Sequence, residues 1–209
     1  IAHEEMGGSD YGLILRSACA GADPEEIGED IASMVTAARQ VLEDTGTEPE
    51  TLHEGDSPHL QAWREWAEPA QIEQEPGGFE RCGVLEALDG LRTGRIPLGG
   101  GGFLYVEPTR ALVAVDVNTG SDTSLAAGVK ANMACARTLP RALRCLGLGG
   151  QVVIDAAPMP KKDRRAFESA LRAAFKVDPE ETTLAGWTTL GHFELQRKRG
   201  RLPLMEILK

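Results

Sequence analysis

Two short aliphatic runs that each close on an aspartate constrain this chain most. Leu112-Val-Ala-Val-Asp116 and Val152-Val-Ile-Asp155 are rich in β-branched residues and read as buried strands. Between them, Ser121 to Leu146 reads as a long helical stretch, interrupted or kinked near Pro140, and Gly147-Leu-Gly-Gly150 stops it. Strand, helix and strand of these lengths make an α/β sheet with right-handed crossovers. Each carboxylate then sits at the C-terminal end of a strand, where open α/β sheets place their sites. If the strands are parallel neighbours, ~4.8 Å apart, both carboxylates reach one metal ion or each other. Two ionised carboxylates that close repel, and a divalent cation resolves the conflict. Oxygen ligation with room for water suits Mg²⁺ or Mn²⁺. Read singly, each aspartate is a helix cap or a solvated strand end. Asn118, one of only two asparagines in the chain, is equally a turn former in Asp116-Val-Asn-Thr-Gly120.

The flanking sequence extends this frame. Phe103-Leu-Tyr-Val-Glu107 forms a hairpin with the first aliphatic run through Pro108-Thr-Arg110, behind a turn-rich stretch from Arg95 to Gly102. Pro160 to Phe175 reads as a helix and Thr182 to Trp187 as a final strand. Upstream, Gly12-Leu-Ile-Leu-Arg16 reads as a short strand. A helix follows, with Asp23 as its N-cap, Pro24 first, and Ile27, Ile31, Met34, Val35, Ala38 and Leu42 on one face. Leu60, Trp63 and Trp66 suggest a short helix with a tryptophan packing pair, and a third helix runs from about Gly83 to Leu91.

Charge divides the chain. The net charge is −10, yet residues 1–96 hold 6 basic and 21 acidic side chains while 97–209 hold 16 basic and 11 acidic. The sign changes near Pro97, taken as the boundary between an acidic α+β part (1–96) and a site-bearing α/β domain (97–209). A basic half beside a metal-binding carboxylate pair suits a phosphate backbone. Lys130, Arg141, Arg144, Lys161, Lys162 and Arg197 are the candidate backbone contacts. The four cysteines form no CxxC pair, the four histidines are dispersed, and no run is long enough to span a membrane. A zinc site or a Cys/His mechanism is not expected. Free thiols fit a reducing cytoplasm.

Several of these residues also carry a resemblance. Gly101-Gly102 before a hairpin, Asp116-Val-Asn118-Thr-Gly120, Asn132, Gly149-Gly-Gln-Val-Val-Ile-Asp155 and Leu190-Gly-His-Phe-Glu194-Leu-Gln-Arg-Lys-Arg199 resemble, in order and spacing, the catalytic region of the ribonuclease E/G family. The resemblance implies a deoxyribonuclease-I-like mixed sheet with flanking helices. It makes Asp116 and Asp155 the ligands of a catalytic Mg²⁺ and gives Asn118 the positioning of the scissile phosphate. It also implies hydrolysis of single-stranded RNA to 5′-phosphate and 3′-hydroxyl ends, in RNA processing or decay. Gly12-Leu-Ile-Leu-Arg16-Ser17 resembles the family's 5′-monophosphate sensor, so Arg16 and Ser17 join the RNA-binding candidates.

The chain also departs from the family. Pro158 stands where a further aspartate is common, Glu181 stands where a second sensor arginine is expected, and the ribonuclease-H-like portion is reduced. With no CPxC motif before Lys209, a zinc-linked dimer is not expected. An N-terminal OB-fold domain that clamps RNA is expected outside this chain. These departures keep open a second reading, an RNA-binding domain with weakened catalysis.

Overall fold

The computed structural model describes residues 2–8, 11–15, 19–65 and 71–208, and divides the chain into two compact units, Ile1–Ile72 and Glu73–Lys209. The charge reversal at Pro97 falls inside the second unit.

In the first unit the described regular structure is helical: α1 (Ala2–Glu5), α2 (Pro24–Glu43) and α3 (Pro58–Glu65). α2 starts as expected. The Asp23 carboxylate accepts the Glu25 amide at 2.8 Å, Pro24 is the first helical residue, and Glu25 and Glu26 face the positive end of the helix dipole. Its apolar stripe is only partly covered, with Ile31 buried while Met34 and Leu42 remain exposed. The strand expected at Gly12–Arg16 is not formed over 12–15. Ile14 is 86% exposed, and among the described residues no strand pairs with it. Arg16, Ser17 and Trp66 lie outside the described residues. The expected Trp63–Trp66 pair therefore falls outside the described residues; Trp63 donates its indole N–H to His59 Nε2 at 2.9 Å.

The second unit opens with α4 (Gly78–Arg81) and α5 (Val84–Arg92) and then builds one mixed sheet. Its strands are β1 (Arg95–Gly99), β2 (Gly102–Pro108), β3 (Val113–Asn118), β4 (Gly150–Asp155), β5 (Thr182–Trp187) and β6 (Phe193–Arg197), in the spatial order β1-β2-β3-β4-β6-β5. β3 and β4 are the parallel pair, and every other neighbouring pair is antiparallel. Between β3 and β4 runs α6 (Leu125–Leu146), and between β4 and β5 runs α7 (Arg164–Lys176). α8 (Leu204–Ile207) follows β6.

Two strands differ from expectation. Arg95-Ile-Pro-Leu-Gly99 is a strand rather than a turn, because β1 lies at the sheet edge, where proline's missing N–H leaves no ladder bond unmade. β6 was not foreseen as a strand, and it inserts between β4 and β5.

Strand alternation gives the sheet two unlike faces. Leu104 and Val106, Val113, Val115 and Val117, Val152 and Ile154, and Phe193 and Leu195 point to one side and form the core with α6 and α7. The other side carries Phe103, Tyr105, Ala114, Asp116, Asn118, Gln151, Val153, Asp155, Glu194 and Gln196, all exposed or half-buried. α6 begins where the Ser124 hydroxyl accepts the Ala127 amide, and ends at Gly147, whose φ of 65° suits glycine. It is continuous through Pro140 rather than interrupted there. Leu139, Pro140 and Leu143 are buried, and this packing offsets the roughly 3 kcal/mol that an interior proline costs.

Candidate active site

β3 and β4 pair in a register that sets Asp116 opposite Asp155. Residues directly opposite on neighbouring strands share a face. Both aspartates therefore stand side by side on the open face, at the C-terminal ends of the two parallel strands. The Asp155 side chain is 65% exposed. Asn118, two residues on from Asp116 and on the same face, donates its side-chain amide to Asp116 Oδ2 at 2.8 Å. That bond fixes the Asp116 carboxylate and leaves the Asn118 amide further capacity toward solvent.

The loop after β4 is tied to α6. Asn132, wholly buried, donates to the Ala157 carbonyl at 2.8 Å and accepts the Ala157 amide at 2.9 Å. One helical turn earlier, Gly128 lies so close under the Pro158 carbonyl that a Cβ there would collide with it. The backbone that carries Asp155 away from the sheet is thereby held at two points. Asn132 was visible in the sequence only as part of the family pattern.

His192, one of four dispersed histidines and part of the family pattern from Leu190 to Arg199, is a neighbour of the site. It directly precedes β6, and its Nδ1 lies 3.3 Å from Asp155 Oδ1. The contact is within ion-pair reach but not aligned as a hydrogen bond, so Nδ1 is buried without a hydrogen-bond partner. The alternation of β6 carried the signal: Phe193 faces the core, so the residue before it faces the aspartates. Nearby, the Arg164 guanidinium stacks on Trp187 at 4.3 Å, and Trp187 donates its indole N–H to Glu168 at 2.6 Å.

The basic candidates separate into two groups. Lys161 and Lys162 follow β4, and Lys130 lies in the second turn of α6; all three are exposed and near the end of the sheet that carries the aspartates. Arg141 is exposed near the far end of α6, where it lines a groove with Ile96, Thr138 and Cys145 behind the sheet. Arg144 and Arg197 are not free for a substrate. Arg197 is 2% exposed, and its Nη2 lies 3.0 Å from Asp178 Oδ1, while Arg144 binds the other oxygen of the same buried carboxylate. Burial removes Arg197 from the RNA-contact candidates, whereas Arg144, about a third exposed, is engaged by the same carboxylate. Arg197 alternates with Phe193 and Leu195 and so points into the core.

Among the described residues no cluster of three or more His, Cys, Asp or Glu could hold a metal ion. Two carboxylates with open positions beside them still match Mg²⁺, which keeps several waters and is commonly held by one or two carboxylates together with substrate phosphates.

The sequence profile of the ribonuclease E/G family matches residues 68–200, well over half of the chain and all of the sheet. The chain belongs to the ribonuclease E/G family. It is 33% identical to ribonuclease G of Escherichia coli (strain K12) over 123 residues, covering 54% of this chain and 24% of that protein. It is 30% identical to the chloroplastic ribonuclease E/G-like protein of Arabidopsis thaliana over 130 residues, 59% of this chain and 13% of that protein. With ribonuclease E of Synechocystis sp. it shares 33% identity over 118 residues, 54% of this chain and 18% of that protein. The chain thus spans a quarter or less of the length of these curated relatives. The mixed sheet with its flanking helices is consistent with the catalytic domain of the family.

Proposed function

We propose that this chain carries the catalytic part of a metal-dependent endoribonuclease that hydrolyses phosphodiesters of single-stranded RNA, in RNA processing or decay. The observation that carries the reading is the register of β3 and β4, which sets Asp116 opposite Asp155 with Asn118 bound to the former. The names of the relatives, ribonuclease G and ribonuclease E, support RNA as the substrate.

In this reading Asp116 and Asp155 hold Mg²⁺, or Mn²⁺ in its place. When bound, the ion supplies a water of lowered pKa and neutralises charge that develops on the phosphate. Asn118 keeps the Asp116 carboxylate from rotating and presents its remaining amide hydrogen to a phosphate oxygen. His192, with Nδ1 3.3 Å from Asp155 Oδ1, limits the swing of that carboxylate. Lys130, Lys161 and Lys162 attract the RNA backbone toward that end of the sheet. The products are a 5′-phosphate and a 3′-hydroxyl. The four free cysteines support a reducing compartment, the cytoplasm, and among the described residues no helix is long and apolar enough to cross a membrane.

The test is incubation of a 5′-labelled single-stranded RNA with the chain, with and without Mg²⁺, beside Asp116→Asn and Asp155→Asn. Each variant is expected to lose more than the roughly 10- to 100-fold typical of outer-shell metal partners, with its fold intact. Full cleavage by either folded variant would remove the assignment. Binding that weakens with salt but brings no turnover would favour the RNA-binding domain with weakened catalysis, a reading that Pro158 already motivates.

A further inference from the structure

The sheet register places more than the aspartates on the open face. Arg95 on β1 pairs with Tyr105 on β2, Tyr105 pairs with Asp116 on β3, and Asp116 pairs with Asp155 on β4. One row of side chains therefore crosses four strands in the order Arg95, Tyr105, Asp116, Asp155. The next row repeats the arrangement with Pro97, Phe103 and Asn118. Opposite residues on antiparallel neighbours have Cβ atoms about 4.5–5.5 Å apart. Tyr105 thus stands immediately beside Asp116, and Phe103 beside Asn118.

We propose that Tyr105 and Phe103 form a ledge that stacks one unpaired nucleobase of the RNA beside the bond to be cut. The proposal rests on the nuclease reading above and adds where a base of the substrate sits. Three observations support it. The two rings meet edge to face, with centroids 5.5 Å apart at 81°, so one ring can present a broad surface while the other forms a wall. Both are only half-buried, whereas their strand neighbours Leu104 and Val106 are buried in the core. The Arg95 guanidinium covers one face of the Phe103 ring at 4.0 Å and is exposed, so Phe103 is the braced wall, Tyr105 the ring that offers its surface, and a positive charge stands beside the pair for the RNA backbone.

Same-face packing along one strand would by itself explain an aromatic pair at i and i+2. It does not require the pair to adjoin both the carboxylates and an exposed arginine on the polar face, when the aliphatic residues of β2 already form the core. Aromatic stacking accepts any base, so the ledge orients the strand without selecting its sequence.

The test uses the chain with Asp116→Asn, which is expected to bind without cutting, and single-stranded RNAs carrying 2-aminopurine at one position in turn. One position is expected to lose fluorescence on binding. Tyr105→Leu and Phe103→Leu keep apolar volume on the strand but remove the flat ring, and thermal melting reports their folding. Each is expected to restore that fluorescence and to weaken binding about 5- to 100-fold. An abasic residue at the same position should cost the parent a similar factor and the leucine variants little. Binding and quenching retained in both folded leucine variants would overturn the ledge, as would an abasic penalty equal in parent and variants. In those outcomes metal-dependent cleavage by the wild-type chain leaves the nuclease reading standing. Absence of both RNA binding and cleavage in the wild-type chain would remove the two together.

Discussion

At the residue scale, a wholly buried carboxylate, Asp178, organises one end of the second unit. It receives Arg197 from β6 and Arg144 from α6, and its Oδ1 also accepts the Glu180 amide at 2.9 Å. Removing one partner of a buried pair leaves an uncompensated charge, which typically costs about 3–5 kcal/mol. Asp178→Ala should therefore lower stability by about that amount in urea unfolding, and Arg197→Ala should behave as a stability variant rather than an RNA-binding one. Burial also pushes the Cys135 thiol up to about 12. The native thiol stays protonated while the unfolded one ionises near 9.0, so stability should fall as pH rises from about 9 toward 12. Cys135→Ser should flatten that fall, as read from unfolding curves across this range. Asp116 and Asp155 were legible in the sequence because a carboxylate that ends an aliphatic run shows its position. Arg197 hides in a cluster of basic letters that looks like surface; only with Phe193–Arg197 as a strand does alternation from Phe193 put it on the core side.

At the element scale, α6 and the loop after β4 are fitted to each other by Gly128 and Asn132. Gly128→Ala puts a methyl group against the Pro158 carbonyl, where neither backbone can yield freely. It should cost about 1–3 kcal/mol and slow RNA cleavage by moving the segment that follows Asp155, measured together by thermal melting and single-turnover kinetics. The central elements were readable from the chain: β2, β3, α6, β4, α7 and β5 match their hydrophobic runs and caps. The edges were not. β1 hides behind Pro97 and the four glycines Gly99 to Gly102 because an edge strand tolerates residues that read as turn. The run at Gly12–Leu15 looked like a strand but has no described partner, and β-propensity alone does not make a sheet.

At the scale of the whole molecule, charge follows the two units. Residues 1–72 hold 3 basic and 16 acidic side chains, whereas 73–209 hold 19 basic and 16 acidic. The second unit is thus the one suited to a polyanion, despite the acidic total. Each phosphate contact to a single strand contributes about −0.7 to the slope of log affinity against log salt. Changing Lys161 and Lys162 together to Ala should reduce the magnitude of that slope by about 1.4, whereas Arg141→Ala, behind the sheet, should leave it unchanged. Fluorescence titration at several salt concentrations reads both.

The pairing of Asp116 with Asp155 also limits how this chain can change in length. Side chains alternate along a strand, so inserting or deleting one residue within β3 or β4 would turn one carboxylate from the open face to the core. A two-residue change would keep the face but slide that carboxylate about 6.6 Å along its strand, away from its partner. Descendants of this sequence can drift in the lengths of their connections and in most surface residues, but the count of residues from Val113 to Asp116 and from Val152 to Asp155 is fixed as long as the pair is used.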